Sequence, residues 1–395
     1  MYNTRKVTDK ITWIGGEDRR LNLFENVYPL PNGVSYNSYF INDDKTLVMD
    51  TVDRSVASQF FENIEYMLGG RELDYLVVNH MEPDHSSLIT FILEEYPDLK
   101  ILANAKTLPM LKGYHNVPEE RVQIIAEGEA VSLGSCSLRF FMAPMVHWPE
   151  TMVTWLEEEN TLFAGDAFGT FGSVEENVVD DEGTFEQYCD EMMRYYACIV
   201  GKYGKPVQTA LQKLSDLDIK RICSTHGPVW ETGIADVVAL YDRMSRYEVE
   251  GGVCIVYGSM YGHTAAAADA LAMELEERGI PYAIHDLAGN NAGELGLSGA
   301  LRDVFRYDTI VVGSPTYNNG IYPPVETFMN ALQARLIKGR RFYAFGSYTW
   351  AGASVRQLNE LASSMDFQLL GDGLSFPQAY TREKVDMASV ADMLK

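Results

Sequence analysis

Cysteine is scarce in this chain: five in 395 residues (Cys136, Cys189, Cys198, Cys223, Cys254), none of them in a C-x-x-C pair. That spacing argues against a disulfide framework, a zinc ribbon or an iron–thiolate electron-transfer site, and leaves buried, reduced thiols. Positive charge is short as well. Lys and Arg number 32 against 56 Asp and Glu, a net charge of −24, which argues against nucleic acid and anionic membranes as partners. No apolar run approaches the ~18 residues that span a bilayer, and no low-complexity tract occurs. The opening Met1-Tyr2-Asn3-Thr4-Arg5-Lys6 leads into no apolar segment, so no secretory leader is expected and a cytoplasmic location follows.

The acidity is uneven. Residues 251–395 hold 11 Lys/Arg and 15 Asp/Glu, net −4, which leaves −20 for residues 1–250. At this length two domains are expected. In the first part Lys10–Ile14, Asn37–Ile41 and Thr46–Asp50 read as strands, with Asp43-Asp44-Lys45 turning between the last two. A helical stretch near Val56–Leu68 follows, then the apolar run Tyr75–Val78. Around Gly251-Gly252 the rhythm changes: Val253–Tyr257, Tyr282–Ile284, Thr309–Val312, Phe342–Phe345 and Gln368–Leu370 alternate with helix-length segments. That is the pattern of a five-stranded parallel sheet with helices on both faces. The expected division is 1–249 and 250–395.

Histidine is rare too, at seven residues, yet four of them fall in one pattern. His80-Met81-Glu82-Pro83-Asp84-His85 is a tight cluster, and His147, Asp166 and His226 then appear singly, each after an apolar run. Alone, the cluster reads more readily as a polar loop than as a metal site. The three later residues change the balance, because loops at strand ends can converge on one rim. Buried ionisable groups in such numbers are costly unless paired or bound to metal. Four imidazoles and three carboxylates suit a two-metal site with mixed nitrogen and oxygen ligands.

This order resembles the metallo-β-lactamase fold, and more narrowly the flavodiiron proteins. Hydrolases of that superfamily usually carry His where this chain has Glu82, and a carboxylate there favours ferric iron over zinc. The resemblance implies His80, Glu82 and His147 as ligands of one iron, Asp84, His85 and His226 as ligands of the second, and Asp166 as the bridge. In some members the position of His85 does not bind metal. At Phe24-Glu25 the chain departs from members with a histidine in that segment.

In the second part, Val253–Tyr257 runs into Ser259, Met260, Tyr261, Gly262, His263 and Thr264, followed by the Ala-rich start of a helix. A tight hydroxyl-bearing loop at a helix N-terminus makes an anion site. It lacks the Lys of a Walker loop and the G-x-G-x-x-G of dinucleotide folds, and it resembles the phosphate loop of flavodoxins. Two more loops follow strands: Pro315-Thr316-Tyr317-Asn318-Asn319-Gly320 and Ser347-Tyr348-Thr349-Trp350-Ala351-Gly352. Ligands of doubly wound sheets bind at such carboxyl ends, so these loops are expected to hold FMN, with Tyr317, Tyr348 and Trp350 as stacking candidates. The basic stretch Arg335, Lys338, Arg340 and Arg341 reads as a solvated surface at the opposite end of the sheet.

The expected fold is α/β: an N-terminal metallo-β-lactamase-like αββα sandwich followed by a flavodoxin-like doubly wound parallel sheet. The resemblance implies a diiron flavoprotein reductase that converts dioxygen to water or nitric oxide to nitrous oxide. Electrons would come through FMN from a separate donor such as a rubredoxin or a reduced deazaflavin. It also implies a head-to-tail homodimer or a dimer of dimers. Glu82 doubles as a candidate catalytic residue. Tyr195 or Tyr196, in the helical stretch Phe185–Lys202, is a candidate hydrogen-bond donor beside a packing role. The competing reading is a zinc hydrolase with an attached flavodoxin, and Glu82 argues against it.

Overall fold

The computed structural model describes residues 2–174, 177–289 and 293–395. The chain divides into two compact units. One comprises Met1–Asn22, Leu30–Tyr196 and Tyr203–Ser245; the other comprises Leu23–Pro29, Ala197–Lys202 and Arg246–Lys395.

The first unit is a sandwich of two main sheets. One runs in the order Arg5–Lys6, Ile11–Trp13, Tyr39–Asn42, Thr46–Met49, Tyr75–Val77, Lys100–Asn104, Val122–Ile125, antiparallel up to Thr46–Met49 and parallel thereafter. The other runs Ala130–Ser132, Ser137–Met142, Met152–Leu156, Thr161–Gly165, Arg221–Ser224, and only its last pair is parallel. Alternate side chains of both sheets meet in one core: Ile11, Trp13, Tyr39, Ile41, Leu47 and Met49 from the first, with Leu138, Phe140, Met152, Leu156 and Phe163 from the second. The period-two pattern decides which residues face that core. The opposite faces are covered too, since Phe40 and Val48 are fully buried. Helix Ala57–Leu68 contributes to that cover through Phe60, Ile64 and Leu68, one turn apart.

In the second unit the strands of the main sheet are all parallel, in the order Tyr282–Asp286, Glu250–Tyr257, Tyr307–Gly313, Arg341–Tyr348 and then a divided fifth position, and the detached segment Leu23–Pro29 adds a small antiparallel pair, Leu23–Phe24 with Tyr28–Pro29. The strand sequence 2-1-3-4-5 is the flavodoxin-like winding. The fifth position extends beyond the expected Gln368–Leu370. Gln368–Leu369 and Leu374–Pro377 both pair with Arg341–Tyr348, and the segment between them turns at Gly371 and Gly373. A Cβ on Gly373 would lie 2.6 Å from the Ala344 carbonyl oxygen, so only glycine permits that return to the sheet.

The basic stretch is only in part a solvated surface: Lys338 is exposed and Arg340 is not. Arg340 is buried and donates to the carbonyls of Val304, Tyr247 and Lys338. Arg335 donates to the carbonyls of Ala197 and Cys198 and to the Tyr28 hydroxyl, tying both detached segments of this unit to its sheet domain. Guanidinium groups offer five donors in a fork, and backbone carbonyls, invisible in the sequence, take them here. Helix Thr184–Tyr195 ends in a π-helical turn, Tyr196–Val200, so the expected continuous helix to Lys202 is interrupted.

Candidate metal centre and cofactor cavity

Each expected ligand sits at or beyond the end of a strand of the first unit. His80 follows Tyr75–Val77, and Pro83 starts a single helical turn, Pro83–Ser86, carrying Asp84 and His85. His147 follows Ser137–Met142, Asp166 follows Thr161–Gly165, and His226 follows Arg221–Ser224. Met145 and Phe168, flanking this rim, hold left-handed backbone at φ 66° and 65°. For non-glycine residues that conformation is strained, and such strain concentrates at functional sites.

The seven side chains form two groups, His80/Glu82/His147/Asp166 and Asp84/His85/His226. Asp166 serves both. Its Oδ2 lies 3.1 Å from His147 Nε2 and 3.4 Å from His80 Nε2, whereas its Oδ1 lies 2.9 Å from His85 Nε2 and 3.9 Å from His226 Nε2. Glu82 Oε2 completes the first pocket, 2.9 Å from His147 Nε2 and 3.3 Å from His80 Nε2. Asp84 Oδ2 completes the second, 3.3 Å from both His85 and His226 Nε2.

Burial opposes charge on His85, but Asp84 and Asp166 outweigh it and raise its pKa to about 9. Burial likewise opposes charge on His147, and Asp166 and Glu82 raise it to about 9. Burial would also raise Glu82 and Asp166, yet the surrounding imidazoles hold both carboxyls below their usual range. The pocket is therefore built for positive charge shared among Nε2 atoms. Both oxygens of Asp84 are buried with no hydrogen-bond partner among the described residues. A buried carboxylate met only at Oδ2, by two imidazole nitrogens at 3.3 Å, costs several kcal/mol unless a cation shares it. The donor set and the unpartnered Oδ1 of Asp84 fit a pair of metal ions.

In the second unit a cavity of about 360 Å³ opens at the carboxyl ends of the strands, lined by residues of four loops. Of the residues expected to hold FMN, Ser259, Met260, Tyr261, His263, Thr264, Pro315, Thr316, Ser347, Tyr348 and Thr349 line it. Gly262, Tyr317, Asn318, Asn319, Gly320, Trp350, Ala351 and Gly352 lie on the same loops but outside the lining. Trp350 is 86% exposed. The loops are laced together: the Thr316 amide donates to the Ser347 carbonyl at 2.8 Å, and the Thr264 and Ser347 hydroxyls meet at 3.1 Å. A Cβ on Gly346 would lie 2.0 Å from the Ser314 carbonyl, so this approach requires glycine.

Residues 34–227 match the ODP family β-lactamase model and residues 255–391 the flavodoxin model. An anaerobic nitric oxide reductase flavorubredoxin of Escherichia coli O1:K1 / APEC is 29% identical over 369 residues, 92% of this chain and 76% of its own length. An uncharacterized protein of Methanocaldococcus jannaschii is 30% identical over 369 residues, 93% of this chain and 91% of its own. The structure of rubredoxin oxygen:oxidoreductase from Desulfovibrio gigas matches with a TM-score of 0.91 at 26% identity, covering 99% of this chain and 97% of that one. The flavodiiron protein of Giardia intestinalis gives a TM-score of 0.92 at 25% identity, with the same coverage. The chain belongs to the flavodiiron proteins.

As a flavodiiron protein it is an oxidoreductase with a metallo-β-lactamase-like domain ahead of a flavodoxin-like one. Among the described residues no helix is long and apolar enough to cross a membrane. Several residues around both sites escape sequence reasoning. Glu150 is buried and accepts from His80 Nδ1 and the Met81 amide, both at 2.9 Å. Thr225 donates to Asp166 Oδ1 at 2.7 Å, and His226 Nδ1 donates to the Ser35 carbonyl at 2.7 Å. Gln378 and Ala379 also line the flavin-side cavity. They follow the divided fifth strand, and the rule that ligands gather at carboxyl ends points to them once that strand is drawn to its full length. No sequence signal marks Ser35.

Proposed function

We propose that this flavodiiron protein reduces dioxygen to water or nitric oxide to nitrous oxide, using FMN and two non-haem irons. The carrying observation is Asp166, whose two oxygens are divided between two histidine pockets. His80, Glu82 and His147 would hold one iron and Asp84, His85 and His226 the other, with Asp166 offering one oxygen to each pocket. Ser259 to Thr264 would take the FMN phosphate by hydroxyls and the N-terminus of helix His263–Glu277. Pro315, Thr316, Ser347, Tyr348 and Thr349, which line the cavity, would hold the rest of the cofactor. Bound there, a flavin would supply electron transfer and an iron pair a redox-active place for the diatomic.

The chain's own residues supply the setting. Imidazole and carboxylate ligands keep water-accessible surface from the centre, since His80, His85 and His226 are at most 1% exposed. Tyr195 is fully buried, with its ring 5.5 Å from that of His226 and 5.1 Å from that of Phe171. Burial first, then the charge of Asp166, raises its pKa well above the ordinary value, so it is a neutral phenol able to donate a hydrogen bond to a bound diatomic. The domains are taken as 1–249 and 250–395, and the working unit as a head-to-tail cytoplasmic homodimer served by a separate donor, a rubredoxin or a reduced deazaflavin. Steady-state consumption of dioxygen and of nitric oxide, measured with one defined reductant, tests the reading. Turnover of neither gas by iron- and flavin-loaded protein would overturn it.

A further inference from the structure

The two histidine pockets differ in what stands behind their imidazoles. In the first, His80 Nδ1 donates to Glu150 Oε1 at 2.9 Å, and both side chains are completely buried. The same oxygen accepts the Met81 amide, which fixes the backbone between His80 and Glu82. No Lys or Arg pairs with Glu150 among the described residues, and its Oε2 is buried without a hydrogen-bond partner. The negative charge of this carboxylate is therefore directed at one imidazole. In the second pocket, His226 Nδ1 donates to a neutral backbone carbonyl, that of Ser35, and His85 Nδ1 has no hydrogen-bond partner among the described residues. No hydrogen bond to a carboxylate is seen from either Nδ1 of that pocket among the described residues; the buried carboxylate of Asp50 acts on His85 only through space.

A carboxylate accepting the far N–H of a metal-bound imidazole fixes the tautomer with the lone pair on Nε2 and raises the basicity of that atom. We propose that Glu150 is a positioning residue that makes the His80–Glu82–His147 pocket the tighter and more electron-rich of the two iron positions. This rests on the diiron reading above. The iron in that pocket is then the last to be lost and the harder to reduce.

The test compares iron-loaded wild-type protein with Glu150→Gln. Glutamine keeps the shape and an acceptor for the His80 N–H but removes the charge. Under anaerobic conditions both are titrated with a ferrous chelator, and iron retained per chain is counted. In the variant, one iron should leave at about 10–100-fold lower chelator concentration, the usual effect of losing such a partner, while the other leaves as in wild type. A spectroscopic redox titration should show the more negative of the two iron potentials moving positive. Unchanged retention and potentials, or equal weakening of both irons, would overturn the proposal. Should Glu150→Gln not fold, Glu150→Asp keeps the charge but withdraws it by one methylene. It should loosen the same single iron, and equal or absent loosening would again refute the assignment. Wild-type protein that holds fewer than two irons would sink the diiron reading instead, a separate failure.

Discussion

Glu82 is the residue on which metal choice turns. Its Oε2 sits 2.9 Å from His147 Nε2, where an imidazole in its place would soften the pocket toward zinc. Glu82→His should lose reductase activity and take up zinc while retaining the fold. Metal analysis and circular dichroism check it, and a variant with iron and full turnover would remove Glu82 from its role. Asp166 carries more, because its two oxygens face different pockets. Asp166→Asn removes charge shared by both metals and should cost at least ~100-fold in turnover, the upper end of losing even an indirect metal partner. A normal diiron spectrum with near-normal rates would contradict the bridge. That all seven of these residues gather at one rim was legible in the sequence, because metal-ligand side chains at strand ends have few other uses. Glu150, Thr225 and Ser35 were not. Their roles depend on contacts between residues as far apart as 191 positions, which no local pattern encodes.

At the scale of elements, strands and the helix at Ala57–Leu68 followed from period and turn residues, since burial on a sheet face or a helix stripe repeats at fixed intervals. The fifth strand of the flavodoxin-like unit was read too short because the turn at Gly371–Gly373 broke its apolar run. The reading of Arg340 as solvated failed because charge alone does not report burial. Its guanidinium holds three carbonyls, so Arg340→Met should destabilise this unit by about 3 kcal/mol, checked by denaturant unfolding. Asp303 offers a pH test. Burial would raise its carboxyl, but hydrogen bonds from His285 and Arg302 prevail and bring it to about 2. A depressed folded-state pKa stabilises above the unfolded value and is lost as pH falls through the folded one. The linkage amounts to about 2 kcal/mol. Asp303→Asn should show that loss at pH 7 and converge on wild-type stability near pH 2. A constant difference across that window would refute the linkage.

For the whole molecule, the crossed homodimer is testable by complementation. Mixing Asp166→Asn with a variant disabled in the Ser259–Thr264 loop should recover part of the activity that each parent lacks. A fully active monomer at nanomolar concentration would contradict the arrangement. The central claim, though, is that a diiron centre and a flavin share this chain. The most direct measurement is metal and flavin analysis of protein purified from iron-replete cells. The account predicts two irons and one FMN per chain, matching the two ligand groups and the cavity at the strand ends. Stoichiometric zinc with no iron would contradict it.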